Sequence, residues 1–247
     1  MPNSKVPNYV LASPWDCEIK QEARQATIVK LYHKVFGDSI PKDKQYWTMA
    51  GAHFDKDGQP LIGELGQILN NDLIIKTQYY GVDRELSIIE KNKQLFPSVN
   101  WIHGDFVEVM TEHCVKGSFN PAIINYDGVM QPKYGTKYLK LILRLIDYNY
   151  EDVVMLISNF VLVNPYRKCE MLSYTIEDTL NQLMKIYTIP DHWSVVPHAY
   201  EYGGFSHTSR SQMGVIVFIK RKHNIKKLQF SKTRDLGIKD SYVKHLI

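Results

Sequence analysis

The sequence predicts a doubly wound α/β fold: a mostly parallel seven-stranded sheet with helices on both faces and a C-terminal antiparallel hairpin. Three observations lead there. From Tyr46 onward, short apolar runs alternate five times with stretches of helical period, an order that requires parallel strands joined by right-handed crossovers. The last two apolar runs, near 194–202 and 212–220, are separated only by a loop through Gly203-Gly204-Phe205-Ser206-His207. That leaves no room for a crossover helix, so they pair as a hairpin. Finally, the 247 residues are 44% hydrophobic and 23% charged, ordinary globular usage that excludes a disordered or fibrous chain.

The elements follow in order. Ser13-Pro14-Trp15-Asp16 reads as a helix start, with Ser13 as N-cap, Pro14 at the first helical position and Asp16 completing a capping box. Ile19, Ala23, Ala26, Val29, Tyr32 and Phe36 recur at helical spacing, and Gly37-Asp38 supplies the stop. This helix precedes every strand and is expected to cap the sheet. Strands are expected near 46–50, 78–82, 98–102, 121–126 and 152–160, before the hairpin pair. Helices are expected near 62–71, 84–96, 105–113, 136–148 and 173–187. The chain divides into an N-terminal helical extension (1–44), a Rossmann-like domain (45–222) and a basic tail (223–247).

The net charge of +4 conceals an asymmetry. Residues 219–247 carry nine Lys/Arg against Asp235 and Asp240, a segment of +7 on a body of −3. Such a tail suits a polyanionic partner, RNA or DNA, through counterion release; the alternative is a solvated terminus that aids solubility. The longest apolar stretch, Val153 to Val163, is broken by Ser158 and Asn159 and falls short of the ~18 residues of a membrane helix. The first ten residues contain no apolar leader, and Cys17, Cys114 and Cys169 are odd in number and widely spaced. A reduced, cytoplasmic setting is expected.

In an open parallel sheet the ligand crevice lies outside the carboxyl ends of the strands, where strand order reverses. The first strand ends in Thr48-Met49-Ala50-Gly51-Ala52, whose small residues let a ligand approach the backbone. The second ends in Tyr80-Gly81-Val82-Asp83, the third in Ile102-His103-Gly104-Asp105-Phe106, and the fourth in Ile124-Asn125-Tyr126-Asp127-Gly128. Thus a carboxylate follows each of three successive strands. Any one of them is equally explained as a helix cap; together they line a crevice. A carboxylate at the second strand end suits vicinal ribose hydroxyls, and one at the third can accept from the exocyclic amine of adenine.

At these residues the sequence resembles the class I S-adenosylmethionine-dependent methyltransferases, over roughly Tyr46 to Lys222, with YGVD and HGDF as the best matches. The resemblance implies S-adenosylmethionine as cofactor, with Asp83 on its ribose, Asp105 and Phe106 on its adenine, and Ala50, Gly51 and Ala52 toward its methionine side. It implies an acceptor side at Asn125, Tyr126 and Asp127, the candidate catalytic residues. The first loop departs from the family's tight glycine run, continuing through His53-Phe54-Asp55-Lys56-Asp57-Gly58-Gln59-Pro60 and setting Gly51 32 residues before Asp83. The GxGxxG fingerprint of a dehydrogenase, with an acid ~20 residues on, is absent.

RNA or DNA is the preferred acceptor. A small molecule or protein acceptor, or a scaffold of this fold without turnover, is the alternative. Asn125-Tyr126-Asp127-Gly128 carries the polar and aromatic groups of an amine-methylating turn without its prolines. Lys30, Asp127, Lys168 and Glu201 stand in the order of a ribose 2′-O-methyltransferase set, an order that such common residue types reach by chance. Cys114 and Cys169 lie away from the place of a cytosine-attacking thiol. His192, His198 and His207 lack metal-site spacing, and His113-Cys114 lacks partners, so no metal is expected. Tyr79, Tyr80, Tyr134, Tyr200 and Tyr202 are read as packing rather than as a base-stacking surface.

Overall fold

A computed structural model describes residues 22–37, 43–54, 57–60, 63–130, 132–150, 152–163, 175–203 and 210–222. The strands are β1 (Gln45–Met49), β2 (Tyr79–Asp83), β3 (Asn100–His103), β4 (Pro121–Met130), β5 (Val154–Val163), β6 (Trp193–Gly203) and β7 (Arg210–Lys220). They form one sheet in the order β3-β2-β1-β4-β5-β7-β6. All pairings are parallel except those of β7, which runs antiparallel to both β5 and β6. Strand order therefore reverses between β1 and β4, which is where the crevice of such a sheet opens.

Alternation along the strands sends side chains to two separate cores. On one face Tyr46, Tyr79, Trp101, Ile123, Ile157 and Val217 meet the N-terminal helical segment, helix α2 (Gly63–Asn70) and helix α3 (Leu86–Leu95). On the other, Trp47, Val82, Ile124, Tyr126, Leu156 and Phe218 meet α4 (Phe106–Val115), α5 (Pro132–Asn149) and α6 (Ile176–Met184). A Cβ on Gly81 would stand 2.4 Å from Cζ3 of Trp101. Only glycine lets that indole lie across β2.

The N-terminal helix caps the first face as expected, but it is not uniformly α-helical. A π-helical stretch, Gln25–Val29, precedes α1 (Lys30–Phe36), and the Lys30 N–H donates to the Gln25 carbonyl. The Thr27 hydroxyl donates to the Ala23 carbonyl at 2.7 Å. That side-chain bond competes with the helical ladder, and the β-branched run Thr27-Ile28-Val29 crowds it further. The proposed start at Ser13 lies outside the described residues.

The largest departures from the expected boundaries are at the end of β4 and the start of α5. Strand β4 continues to Met130, with its register to β5 shifting between Tyr126 and Met130, and α5 begins at Pro132, four residues early. Proline at a first helical position loses no hydrogen bond and sets the required φ. Helix α6 opens at Thr175, whose hydroxyl accepts from the Asp178 N–H while Asp178 accepts from the Thr175 N–H, a capping box.

At the base of the sheet three chain segments share one carboxylate. Lys44, just before β1, donates to Asp152 Oδ2 at 2.8 Å and to Asn120 Oδ1 at 3.0 Å. Lys222, just after β7, meets Asp152 Oδ1 at 3.1 Å. The two lysines hold the Asp152 carboxyl below its ordinary value. Among the described residues, no helix is long and apolar enough to cross a membrane.

Candidate functional site

The loop after β1 is clamped from two sides. Gly51, at φ +57°, donates its N–H to Asp83 Oδ2 at 3.1 Å. Its carbonyl accepts from Asn92 Nδ2 at 2.9 Å, and Asn92 Oδ1 in turn accepts from the His53 N–H at 3.0 Å. Asn92 is fully buried on α3, so its amide fixes the loop without meeting solvent. The inserted residues close on themselves where Phe54 bridges Pro60, and His53 packs 5.1 Å from Trp101, centroid to centroid. A Cβ built on Gly51 meets no atom within 4 Å, leaving the backbone there open to approach. Ala50 and Ala52 flank it, half-buried.

Asp83 and Asp105 follow adjacent strands: Asp83 is in register with His103, and the Gly104 N–H donates to the Asp83 carbonyl at 2.9 Å. Their side chains, however, are committed to different partners. Asp83 accepts from Gly51 and, through Oδ1, from the Glu85 N–H at 2.8 Å. Burial pushes its carboxyl above the ordinary value against those two donors. Asp105 caps α4, with Oδ1 accepting from the N–H groups of Val107 (2.9 Å) and Glu108 (3.2 Å), while Oδ2 pairs with Arg84. Burial alone would raise Asp105, but Arg84 and the two cap donors hold it below its ordinary value. Phe106 is buried beside Asp105, its ring stacked on Tyr126 at 6.1 Å.

Strand alternation parts the three residues Asn125, Tyr126 and Asp127 in the middle of β4. Tyr126 faces the core under α4 and α5, where it also stacks on Tyr138 at 6.5 Å and burial raises its phenol. Asn125 and Asp127 face the opposite side, where they line a cavity of about 20 Å³ with Arg24, Thr27, Glu64 and Asn159. Glu64, in the first turn of α2, accepts from Asn125 Nδ2 at 2.8 Å and from the Tyr46 hydroxyl at 2.9 Å, and lies 3.8 Å from Arg24 Nε. Asn159 Nδ2 donates to Asn125 Oδ1 at 3.3 Å. Both ends of the Asn125 amide are thus engaged. Asp127 Oδ1 is buried and has no hydrogen-bond partner.

The sequence reading missed Arg24, Glu64, Asn92 and Asn159. Two carried a signal: Glu64 precedes the buried Ile68 by four residues, and Arg24 precedes Thr27 and Ile28 by three and four, so both charges fall on apolar helix faces. Of the 2′-O-methyltransferase order, Asp127 lies at the cavity, Lys30 is exposed to solvent, and the side chains of Lys168 and Glu201 lie outside the described residues. Tyr79 stacks on Tyr46 and Tyr80 on Trp47 as packing. His207, Cys17, Cys169 and the basic tail lie outside the described residues, as do the side chains of Tyr134, Tyr200 and Tyr202. Burial pushes the Cys114 thiol up to about 11. Among the described residues, no group of three or more His, Cys, Asp or Glu is placed to hold a metal.

No family model matches the chain, and no curated protein matches it in sequence. Solved structures do match its fold. A Legionella pneumophila str. Philadelphia 1 protein of the DUF519 family is 11% identical with a TM-score of 0.53, over 89% of this chain and 90% of that one. The plantazolicin methyltransferase BpumL, solved with SAH, is 13% identical with a TM-score of 0.50, over 83% and 85%. The plantazolicin methyltransferase BamL, solved with a desmethyl plantazolicin analog and SAH, is 15% identical with a TM-score of 0.50, over 83% and 86%. At these identities the likeness concerns the fold, and the chain has the Rossmann-like fold of the class I S-adenosylmethionine-dependent methyltransferases.

Proposed function

We propose that this chain is an S-adenosylmethionine-dependent methyltransferase acting on RNA or DNA. The observation that carries the reading is the open, clamped backbone at Gly51, held by Asp83 where strand order reverses. The residues fit the cofactor. Each Asp83 oxygen takes one N–H and keeps a lone pair for a ribose hydroxyl. Asp105 Oδ2 likewise retains acceptor capacity beside Arg84 for the adenine amine, with Phe106 next to it. Ala50, Gly51 and Ala52 leave the backbone approachable. When bound, the cofactor supplies an already activated methyl group. The chain's own work is to align an acceptor and exclude water, where β4 passes beyond its pairing with β1 and presents Asn125 and Asp127 on the side away from Tyr126.

The +7 segment at 219–247 supports a nucleic-acid acceptor, because phosphate neutralisation needs no sequence readout. A scaffold without turnover is the second reading, favoured by the engagement of both Asp105 oxygens. Saturating S-adenosylmethionine is expected to raise the melting temperature through linkage to the folded state, and Asp83→Ala to abolish the rise. No rise at millimolar ligand in the wild type would reject the enzyme reading. Labelled methyl transfer to total RNA, DNA and protein then separates catalyst from scaffold and identifies the acceptor.

A further inference from the structure

We infer that the groove between helix α5 and the segment leading into β6 is a docking track for a single nucleic-acid strand, continuous with the root of the basic tail. The inference rests on the nucleic-acid reading above and names the surface that takes the strand. The groove, about 450 Å³, has the size of a ligand site and shares no lining residue with the crevice beyond β1, β2 and β3. Lys140 and Arg144 line it from α5, Ile186, Tyr187 and Pro190 from the loop after α6, and His192 from the position just before β6.

Three observations identify the occupant as a polyanion. From Lys133 to Ile146, α5 carries Lys133, Lys137, Lys140 and Arg144 at intervals of four, three and four, and not one acid. Those intervals place the four positions on one helical face, away from the buried Leu139, Ile142, Leu143 and Ile146; Lys137 and Arg144 are exposed and Lys140 is half-buried. Like charges at such spacings repel one another, and an anion laid along the face removes that repulsion. Secondly, the acid on this wall is saturated with donors. Asp147 meets Trp193 Nε1 at 2.8 Å, His192 Nε2 at 3.0 Å and the Tyr187 hydroxyl, which fixes the loop that forms the far wall. Thirdly, the Arg221 N–H donates to the His192 carbonyl at 2.9 Å, so the +7 segment at 219–247 departs directly beside the groove.

The track also leads to the right place. Helix α5 begins at Pro132, just past the end of β4, so its stripe runs from the strand that carries Asn125 and Asp127 toward the tail's root. Lys137 to Arg144 covers ~10 Å of helix, about three nucleotide steps at ~3.4 Å each. The apolar rim of Ile186, Tyr187 and Pro190 suits unstacked bases, whose faces a duplex conceals. A single strand therefore satisfies both the cations and the rim.

The test is fluorescence-anisotropy titration of labelled single-stranded RNA and DNA of one sequence with the full chain, across a salt series. The proteins are wild type, Lys137→Gln/Lys140→Gln, Arg144→Gln and a control, Lys76→Gln/Lys93→Gln, whose exposed lysines lie before β2 and on α3. Each α5 cation removed is expected to lower the log–log salt slope by ~0.7 and the affinity about fivefold at about 0.1 M salt, with the control unchanged. The rise in melting temperature with S-adenosylmethionine should persist in every variant. An unchanged slope in both α5 variants, or an equal fall in the control, overturns the inference and leaves the methyltransferase reading standing. Displacement of the strand by polyglutamate as effectively as by unlabelled oligonucleotide overturns it in favour of an acidic polypeptide. A wild type that binds neither strand rejects the nucleic-acid reading together with the track. Should one α5 variant fail to fold, the other decides.

Discussion

Asp105 is a helix cap and an ion-pair partner before it is a candidate adenine contact, and those attachments govern how it titrates. Its folded-state value lies below the ordinary one, so the stability it contributes is present above the unfolded-state value and is lost as pH falls through the folded value. Asp83 has the opposite sign. Its value is raised by burial, so the fold binds its proton more tightly than the unfolded chain does, and its contribution declines as pH rises through the carboxylate range. Asp105→Asn is therefore expected to melt below the wild type at pH 7, with the gap closing as pH drops through the acid carboxylate range; a gap that persists there would remove the charge from the account. The two acids were legible because strand ends are readable from apolar runs. That they turn to different partners was not, since Arg84 and the Gly51 N–H reach them across gaps of 21 and 32 residues. Tyr126 carries a different lesson: neighbours on a strand cannot share a face, so a three-residue catalytic set along β4 had to divide.

Among the elements, the β1 loop depends on a side chain contributed by another helix. Asn92 sits in α3 where its position predicts only packing, yet it replaces the glycine run that would otherwise shape the turn. Asn92→Ala leaves the buried His53 N–H unsatisfied, at a cost of about 1–3 kcal/mol, and removes the partner of the half-buried Gly51 carbonyl. The expected result is a lower melting temperature together with weaker S-adenosylmethionine binding; unaltered binding in a folded variant would show that the loop holds its shape unaided. The N-terminal helix shows what period alone can and cannot convey. Its apolar spacing correctly placed it on the sheet, but the π-helical stretch was hidden, because the competition of Thr27 for the Ala23 carbonyl is decided by three-dimensional packing. The insertion from His53 to Pro60 was visible as an anomaly of length, and its closure through the Phe54–Pro60 bridge was not.

For the molecule as a whole, the mostly parallel sheet and the closing hairpin followed from alternation and from the absence of room for a crossover, both of which the linear pattern contains, whereas the insertion of β7 between β5 and β6 did not show in it. The cavity was less accessible to that reading, since it joins residues 24, 64, 125, 127 and 159, brought together only by complete winding of the sheet. Removing residues 223–247 deletes six Lys/Arg. It is expected to weaken binding to RNA or DNA and to flatten its salt dependence by about 0.9 for each phosphate that is no longer neutralised, leaving S-adenosylmethionine binding unchanged. An unchanged salt slope, measured by titration from low to moderate ionic strength, would make the tail incidental.

The shared carboxylate of Asp152 fixes where that tail begins. Because β7 runs against its neighbours and Lys222 is anchored beside Lys44, the cationic segment leaves from the floor of the sheet, while the small loops that face the donor lie at its roof. The length of β5, ten residues, separates the two by about 30 Å. Residues 223–247 number 25, an extended reach of ~85 Å that exceeds this separation, so under the nucleic-acid reading a tail rooted at the floor still reaches a strand held at the roof.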